Sequence, residues 1–256
     1  MAIPPSKFVW YELMTTDATA AAAFYRDVVG WSVEKSPMPD MDYTLFKAGS
    51  AQIAGAFPLS KEQVSHGAPV AWVGYIGTDD IDRSATELGA AGGKVWRGPD
   101  EIAGVGRFAT VSDPQGAAFA LFQPARSNEA SPADTAARGH VGWHELYAGD
   151  GVSAFDFYAK LFHWRKGEVM DMGPAGQYQM FSAGDDAIGG MMTKPAQMAT
   201  PAWTFYFNVD GIDAAAARVK AGGGQIVHGP QDVPGGQWVV QGIDPQGGHF
   251  ALVGPK

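Results

Sequence analysis

The chain contains no cysteine. Disulfides, a thiolate zinc site and a cysteine nucleophile are therefore excluded, and the composition fits a reducing compartment, so a cytoplasmic location is expected. Basic residues are also few, 18 against 27 acidic ones, for a net charge of −9. That balance disfavours electrostatic association with nucleic acid or an anionic membrane. No run approaches the roughly 18 apolar residues of a membrane span, and the opening MAIPPSKF has no apolar signal core. Nucleic acid and membrane drop out as expected partners, and a small molecule becomes the default ligand.

Glycine, by contrast, is abundant at 34 residues, as suits a fold with many strand-to-strand turns. An apolar content of 46% with 18% charged residues describes a globular chain. The strongest signal is repetition. Residues 8–31 read FVWYELMTTDATAAAAFYRDVVGW, and residues 141–164 read VGWHELYAGDGVSAFDFYAKLFHW. At a single offset of 133, Trp10 matches Trp143, Glu12 matches Glu145, Asp17 matches Asp150, Phe24–Tyr25 match Phe157–Tyr158, and Trp31 matches Trp164. Later the offset is 131, with Trp72 against Trp203, Gly98–Pro99 against Gly229–Pro230, and a DPQG turn at both 113–116 and 244–247. The chain is a tandem repeat: module one over 1–124, a polar Pro-containing linker over 125–139, and module two over 140–256.

Each module holds two β-α-β-β-β units. Residues 8–14 read as a strand. Asp17 caps a helix carrying Phe24, Tyr25 and Val28, Gly30 stops it, and three short strands follow. The order restarts at residues 70–77, with a helix capped by Asp79 or Asp80 and strands over 94–97, 106–112 and 117–123. Gly98–Pro99 and Gly229–Pro230 read as turns, and Gly222–Gly224 as a helix stop. The FY pairs read as core.

A strand, then D-x(6)-FY-x(4)-[GH]W, then a later strand after DPQG-xx-F-x-L, resembles the vicinal oxygen chelate superfamily of glyoxalase I, bleomycin-resistance proteins and extradiol dioxygenases. The resemblance covers nearly the whole chain, twice. It implies an α+β fold of tandem modules, each an open, curled mixed sheet around a cavity. Single-module relatives dimerise to make what this chain holds covalently, so a monomer or a homodimer is expected.

The resemblance also implies where a divalent metal would be held. Those positions carry Trp10, Val73 and Ala120 in module one, and Trp143, Thr204 and Ala251 in module two; a shift of one residue would substitute Trp72 and Trp203. Indole, isopropyl and methyl groups do not coordinate metals, and a lone Thr hydroxyl is a poor ligand. No cofactor is expected. Strand parity says what takes the metal's place. If Trp10 faces the cavity so does Glu12, with Val73 and Tyr75. Module two offers Trp143, Glu145, Tyr147, Thr204, Tyr206 and His249. Two aromatic-walled pockets, each with one carboxylate, are the expectation, with Trp10, Glu12, Tyr75, Trp143, Tyr147 and Thr204 as ligand-binding residues. Glu145, His249 and Tyr206 are the candidate proton-transfer residues, and His144 faces the other way, toward backbone.

Four functions compete. A metal-free binder of an apolar or aromatic metabolite or antibiotic leads. A lyase or isomerase using Glu145 with His249 or Tyr206 follows. A metal-dependent glyoxalase or dioxygenase with relocated ligands and a non-catalytic partner-binding module complete the set.

Overall fold

A computed structural model describes residues 7–37, 42–125 and 135–256. In module one the elements are β1 (Phe8–Thr15), α1 (Ala18–Val29), β2 (Ser32–Lys35), β3 (Thr44–Ala48), β4 (Ala51–Pro58), α2 (Lys61–Ser65), β5 (Ala71–Gly77), α3 (Ile81–Ala90), β6 (Lys94–Ile102), β7 (Gly106–Ser112) and β8 (Ala118–Pro124). Module two contributes β9 (Val141–Ala148), α4 (Gly151–Phe162), β10 (Arg165–Asp171), β11 (Gln177–Ala183), β12 (Asp186–Thr193), β13 (Ala202–Asn208), α5 (Ile212–Ala221), β14 (Gln225–Val233), β15 (Gln237–Ile243) and β16 (His249–Gly254). The strand orders are β2-β3-β4-β1-β5-β8-β7-β6 and β10-β11-β12-β9-β13-β16-β15-β14. Both are mixed sheets: β1 runs parallel to β4 and β9 to β12, while the hairpins are antiparallel. The duplicated α+β architecture is the one the repeat implies.

Local chemistry sets the helix ends as expected. Asp17 accepts from the Ala20 amide, Asp80 from Arg83 and Asp150 from Ser153, and Gly30 closes α1 at φ 89°. The short α2, with its Ser60–Gln63 capping box, has no counterpart in the sequence reading. One expectation is corrected. Gly98–Pro99 and Gly229–Pro230 are not turns between elements; both are cis peptides inside the long strands β6 and β14. These are edge strands, and the pairing register slips at each Gly-Pro. A proline fits there because a bulge on an edge needs no ladder donor.

Packing groups the chain differently from its sequence repeat. One compact unit holds residues up to Trp10, Gly74 through β8, and Trp143–Trp203; the other holds Tyr11–Val73, the end of the linker, and Thr204–Lys256. In the first unit the Tyr158 hydroxyl donates to Asp113 Oδ2 at 3.2 Å and accepts from Trp203 Nε1 at 3.1 Å. In the second, Tyr25 donates to Asp244 Oδ2 and accepts from Trp72 Nε1, each at 2.9 Å. The tyrosine of each FY pair thus reaches the DPQG aspartate of the other module. The turn amides of Gln115 and Ala117 bond Asp113 Oδ1, and those of Gln246 and Gly248 bond Asp244 Oδ1. Tyr25 and Tyr158 are fully buried, so their hydroxyls are held far above the usual tyrosine range, by burial first and by the aspartate charge second.

The linker's last residues are packed in the second unit. Trp31 Nε1 donates to the Gly139 carbonyl at 2.7 Å, and Asn208 Nδ2 to the carbonyls of Thr135 and Ala137. Its earlier part lies outside the described residues.

Candidate functional site

Trp72 and Trp203 fix the parity of β5 and β13. Their indoles bond the helix tyrosines, so Val73 and Thr204, one residue on, present the opposite face. The same alternation operates on β9. His144 is buried, its ring stacked on Phe8 at 4.3 Å, and its Nδ1–H donates to the Ile188 carbonyl at 2.6 Å. Burial holds its pKa down at about 4, against a smaller upward push from that bond. Trp143, Glu145 and Tyr147 therefore share the other face.

There, in the first unit, a chain of hydrogen bonds ends on a buried carboxylate. Trp143 Nε1 donates to the Tyr178 hydroxyl at 2.6 Å, and that hydroxyl hydrogen-bonds Glu145. Glu145 is only 7% exposed. The Tyr178 hydroxyl is held well above the ordinary tyrosine range, chiefly by burial and next by the Glu145 charge, so it stays a protonated donor. Tyr147 is half-buried and close enough to Tyr178 to add to that upward push. Register explains how the tyrosine reaches the acid. Glu145 pairs with Gly190 on β12, and a Cβ at Gly190 would collide with the Tyr178 ring. The glycine leaves the space in which the ring lies.

The second unit repeats the device. Tyr43 donates to Glu12 Oε1 at 2.8 Å, Glu12 pairs with Gly55 on β4, and a Cβ at Gly55 would collide with Tyr43. Trp10 and Glu12 are half-buried. Sequence reasoning placed the glutamates on the correct strands but missed Tyr43, Tyr178, Gly55 and Gly190. The recurrence of a tyrosine and a glycine at one offset of 135 was the available signal.

The remaining predicted residues fall in both units. Tyr206 is buried and accepts from Gln241 Nε2 at 2.7 Å, opposite Ala251 in register. His249 is exposed as the first residue of β16, paired with Ile243. Both belong to the second unit, whereas Glu145 belongs to the first. Tyr75 is buried edge-on to Phe122 at 6.4 Å, and Thr204 is half-buried on β13.

The side chains at the positions that the resemblance implies for a divalent metal do not fit one. Ala120 and Ala251 are fully buried methyl groups, Val73 is aliphatic, and the Trp143 indole is a donor already spent on Tyr178. Among the described residues no three His, Cys, Asp or Glu side chains form a group able to hold an ion. No helix among them is long and apolar enough to cross a membrane.

The fold and duplicated site define a class, and comparison with known proteins agrees. The model of the Glyoxalase/Bleomycin resistance protein/Dioxygenase superfamily matches residues 7–121 and again 138–251. The chain belongs to that superfamily. Among its relatives is CFP32 of Mycobacterium tuberculosis (strain CDC 1551 / Oshkosh), named with a provisional assignment as a glyoxylase. It is 32% identical over 249 residues, covering 96% of this chain and 94% of that protein. The anthracycline biosynthesis protein DnrV of Streptomyces peucetius is 30% identical over 262 residues, with coverage of 97% and 93%. Among solved structures, the Mn(II)-bound glyoxalase of Novosphingobium aromaticivorans superposes with a TM-score of 0.68 at 17% identity, covering 98% of this chain and 82% of that one. The 2,3-dioxygenase LapB of Pseudomonas sp. KL28 gives 0.67 at 12% identity, with coverage of 97% and 91%. At those identities the likeness concerns the fold.

Proposed function

We propose that this protein binds a small, planar, hydroxyl-bearing aromatic metabolite, with Glu145 as the anchor, Trp143 and Tyr147 as aromatic walls, and no metal in the contact. The observation that carries the reading is the Trp143–Tyr178–Glu145 chain. A carboxylate held by a tyrosine hydroxyl keeps a fixed direction, and in a desolvated setting it accepts strongly from a ligand O–H. Flat indole and phenol rings beside it favour a flat ligand. Glu12 with Tyr43 forms a second, more open version, with Trp10 on the same strand face. The donor set at the metal positions supports the metal-free part of the reading. The naming of one relative for anthracycline biosynthesis supports the aromatic part.

A second reading, catalysis, is favoured by the relative named as a glyoxylase. In it Glu145 takes a proton from the bound ligand as general base, as a lyase or isomerase requires, with Tyr206 and His249 as the further candidates.

The test is calorimetric titration with 1,8-dihydroxyanthraquinone as the probe. Saturable binding, weakened about tenfold or more in Glu145→Gln, is expected, since a charge-assisted hydrogen bond contributes about 1.5–3 kcal/mol. Equal affinity in the variant would remove Glu145 as the anchor. Consumption of the probe, with a pH–rate profile that the variant abolishes, would replace binding by catalysis.

A further inference from the structure

Strands β11 and β12 carry a second set of residues on the face opposite Tyr178 and Gly190. Gln177 and Gln179 alternate with Tyr178, and Met191 and Thr193 follow Gly190 at the same parity; Gln179 pairs with Met191 in register. With the first turns of α4 and Lys166 of β10, they line a depression of about 230 Å³. Its floor is apolar, made of buried Phe155 and Met191, and its rim carries Val152 at 62% exposure.

We propose that this depression is a separate binding site for a small aromatic carboxylate, whose ring packs on Val152 above the buried Phe155 and Met191 and whose carboxylate meets Lys166. The Lys166 ammonium stands 5.2 Å from the centre of the Phe155 ring, at the boundary between the apolar floor and solvent. The α4 amides are already used, Gly151 N by Thr193 Oγ1 and Ser153 N by Asp150, so the lysine is the group that supplies the charge. Gln177 offers a carboxamide beside it, whereas the Gln179 amide is already spent on the carbonyls of Gly167 and Met180. The volume is below the roughly 300–1,000 Å³ of sites for drug-sized ligands, which limits the occupant to one or two fused rings.

The duplicated fold supplies an internal comparison for this site. The equivalent places in module one hold Ala22 for Phe155, Val33 for Lys166, Asp42 for Gln177, Thr44 for Gln179, Ala56 for Met191 and Pro58 for Thr193. Cation, carboxamides and apolar floor are thus present together only in module two, although the same fold is built twice. A shared structural need would have kept them alike. Opposing charge comes from Asp156, 3.6 Å from Lys166, and from Asp150, whose carboxylate caps the start of α4. It weakens the attraction without cancelling it, because an exposed pair is worth little.

A carboxylate probe separates this site from the one on the opposite face, since Glu145 repels an anion. Calorimetry with 2-naphthoate is expected to show one saturable site on the wild-type protein. Lys166→Met should weaken it about fivefold and Val152→Asp at least as much, while Asp156→Asn should tighten it about twofold. Glu145→Gln should leave it unchanged, and 2-naphthol should bind less well than 2-naphthoate in the Glu145→Gln background. Both Lys166 and Val152 are exposed, so these variants are expected to fold. No saturable binding, equal affinity in Lys166→Met, or tighter binding in Glu145→Gln would each overturn the assignment.

Discussion

His144 and Glu145 are neighbours on β9 whose side chains point to opposite faces and meet opposite requirements. His144 is buried against Phe8 and is neutral at pH 7, because burial holds its pKa at about 4, below the ordinary histidine value of 6.5. A base with a depressed pKa contributes its full stability above the unfolded value, and that contribution is lost as pH falls from 6.5 through 4. The size is on the order of 3 kcal/mol. Asp113, whose carboxyl is raised mainly by burial, acts in the opposite direction over the acid end of this range. Urea midpoints measured from pH 7 to 4 are expected to fall, and to fall less in His144→Asn, which still has an amide to offer the Ile188 carbonyl. Equal slopes would show that the imidazole is not the titrating group. Also at this scale, Gly190→Ala is expected to displace Tyr178, lowering stability by about 1–3 kcal/mol and weakening the binding that depends on Glu145. A crystal structure of that variant with Tyr178 unmoved would contradict the account.

Among the elements, the helix α4 shows how the repeat is held together. The Gln115 side chain accepts from the Asp150 amide at 2.7 Å and donates to the Asp150 carbonyl and Ser153 Oγ at 3.0 Å each, clamping the helix start to the DPQG turn of the other module. Gln115→Ala should cost about 1 kcal/mol, in the range of a lost helix cap, read as a lower thermal midpoint. Tyr158→Phe should cost about 1–3 kcal/mol, because the Trp203 indole N–H and Asp113 each lose a buried partner. No loss in either variant would show that these bonds between modules are incidental. Individual elements were legible in the sequence because their signals are local: Asp17, Asp150 and Gly30 mark helix ends, and strand alternation placed Glu12 and Glu145 on one face with Trp10 and Trp143. Gly98–Pro99 misled because the same dipeptide serves a turn and an edge-strand bulge, and only pairing distinguishes them. Tyr43 and Tyr178 were visible as repeated residues but not as partners of the glutamates. That partnership depends on a sheet order in which β12 separates β11 from β9.

For the molecule as a whole, duplication at a rare set of aromatics gave the family away, whereas the exchange of partners between modules left no sequence trace. Nothing in a DPQG turn announces that its aspartate will meet the tyrosine of the other copy. Duplication also makes divergence readable. Where both copies keep a feature, as with Glu12–Tyr43 and Glu145–Tyr178, the fold or a common ligand requires it. Where one copy departs, as at Lys166 and Phe155, a separate function has room to develop.

On the proposed function, Glu145 and not a metal holds the ligand. The most direct test is the affinity for 1,8-dihydroxyanthraquinone, measured by calorimetry on protein dialysed against EDTA and again after nickel, manganese, zinc or iron(II) is restored. One affinity throughout is expected for the wild-type protein, with binding weakened about tenfold or more in Glu145→Gln under every condition. Binding abolished by EDTA and restored by one metal, with Glu145→Gln behaving as wild type, would contradict that reading.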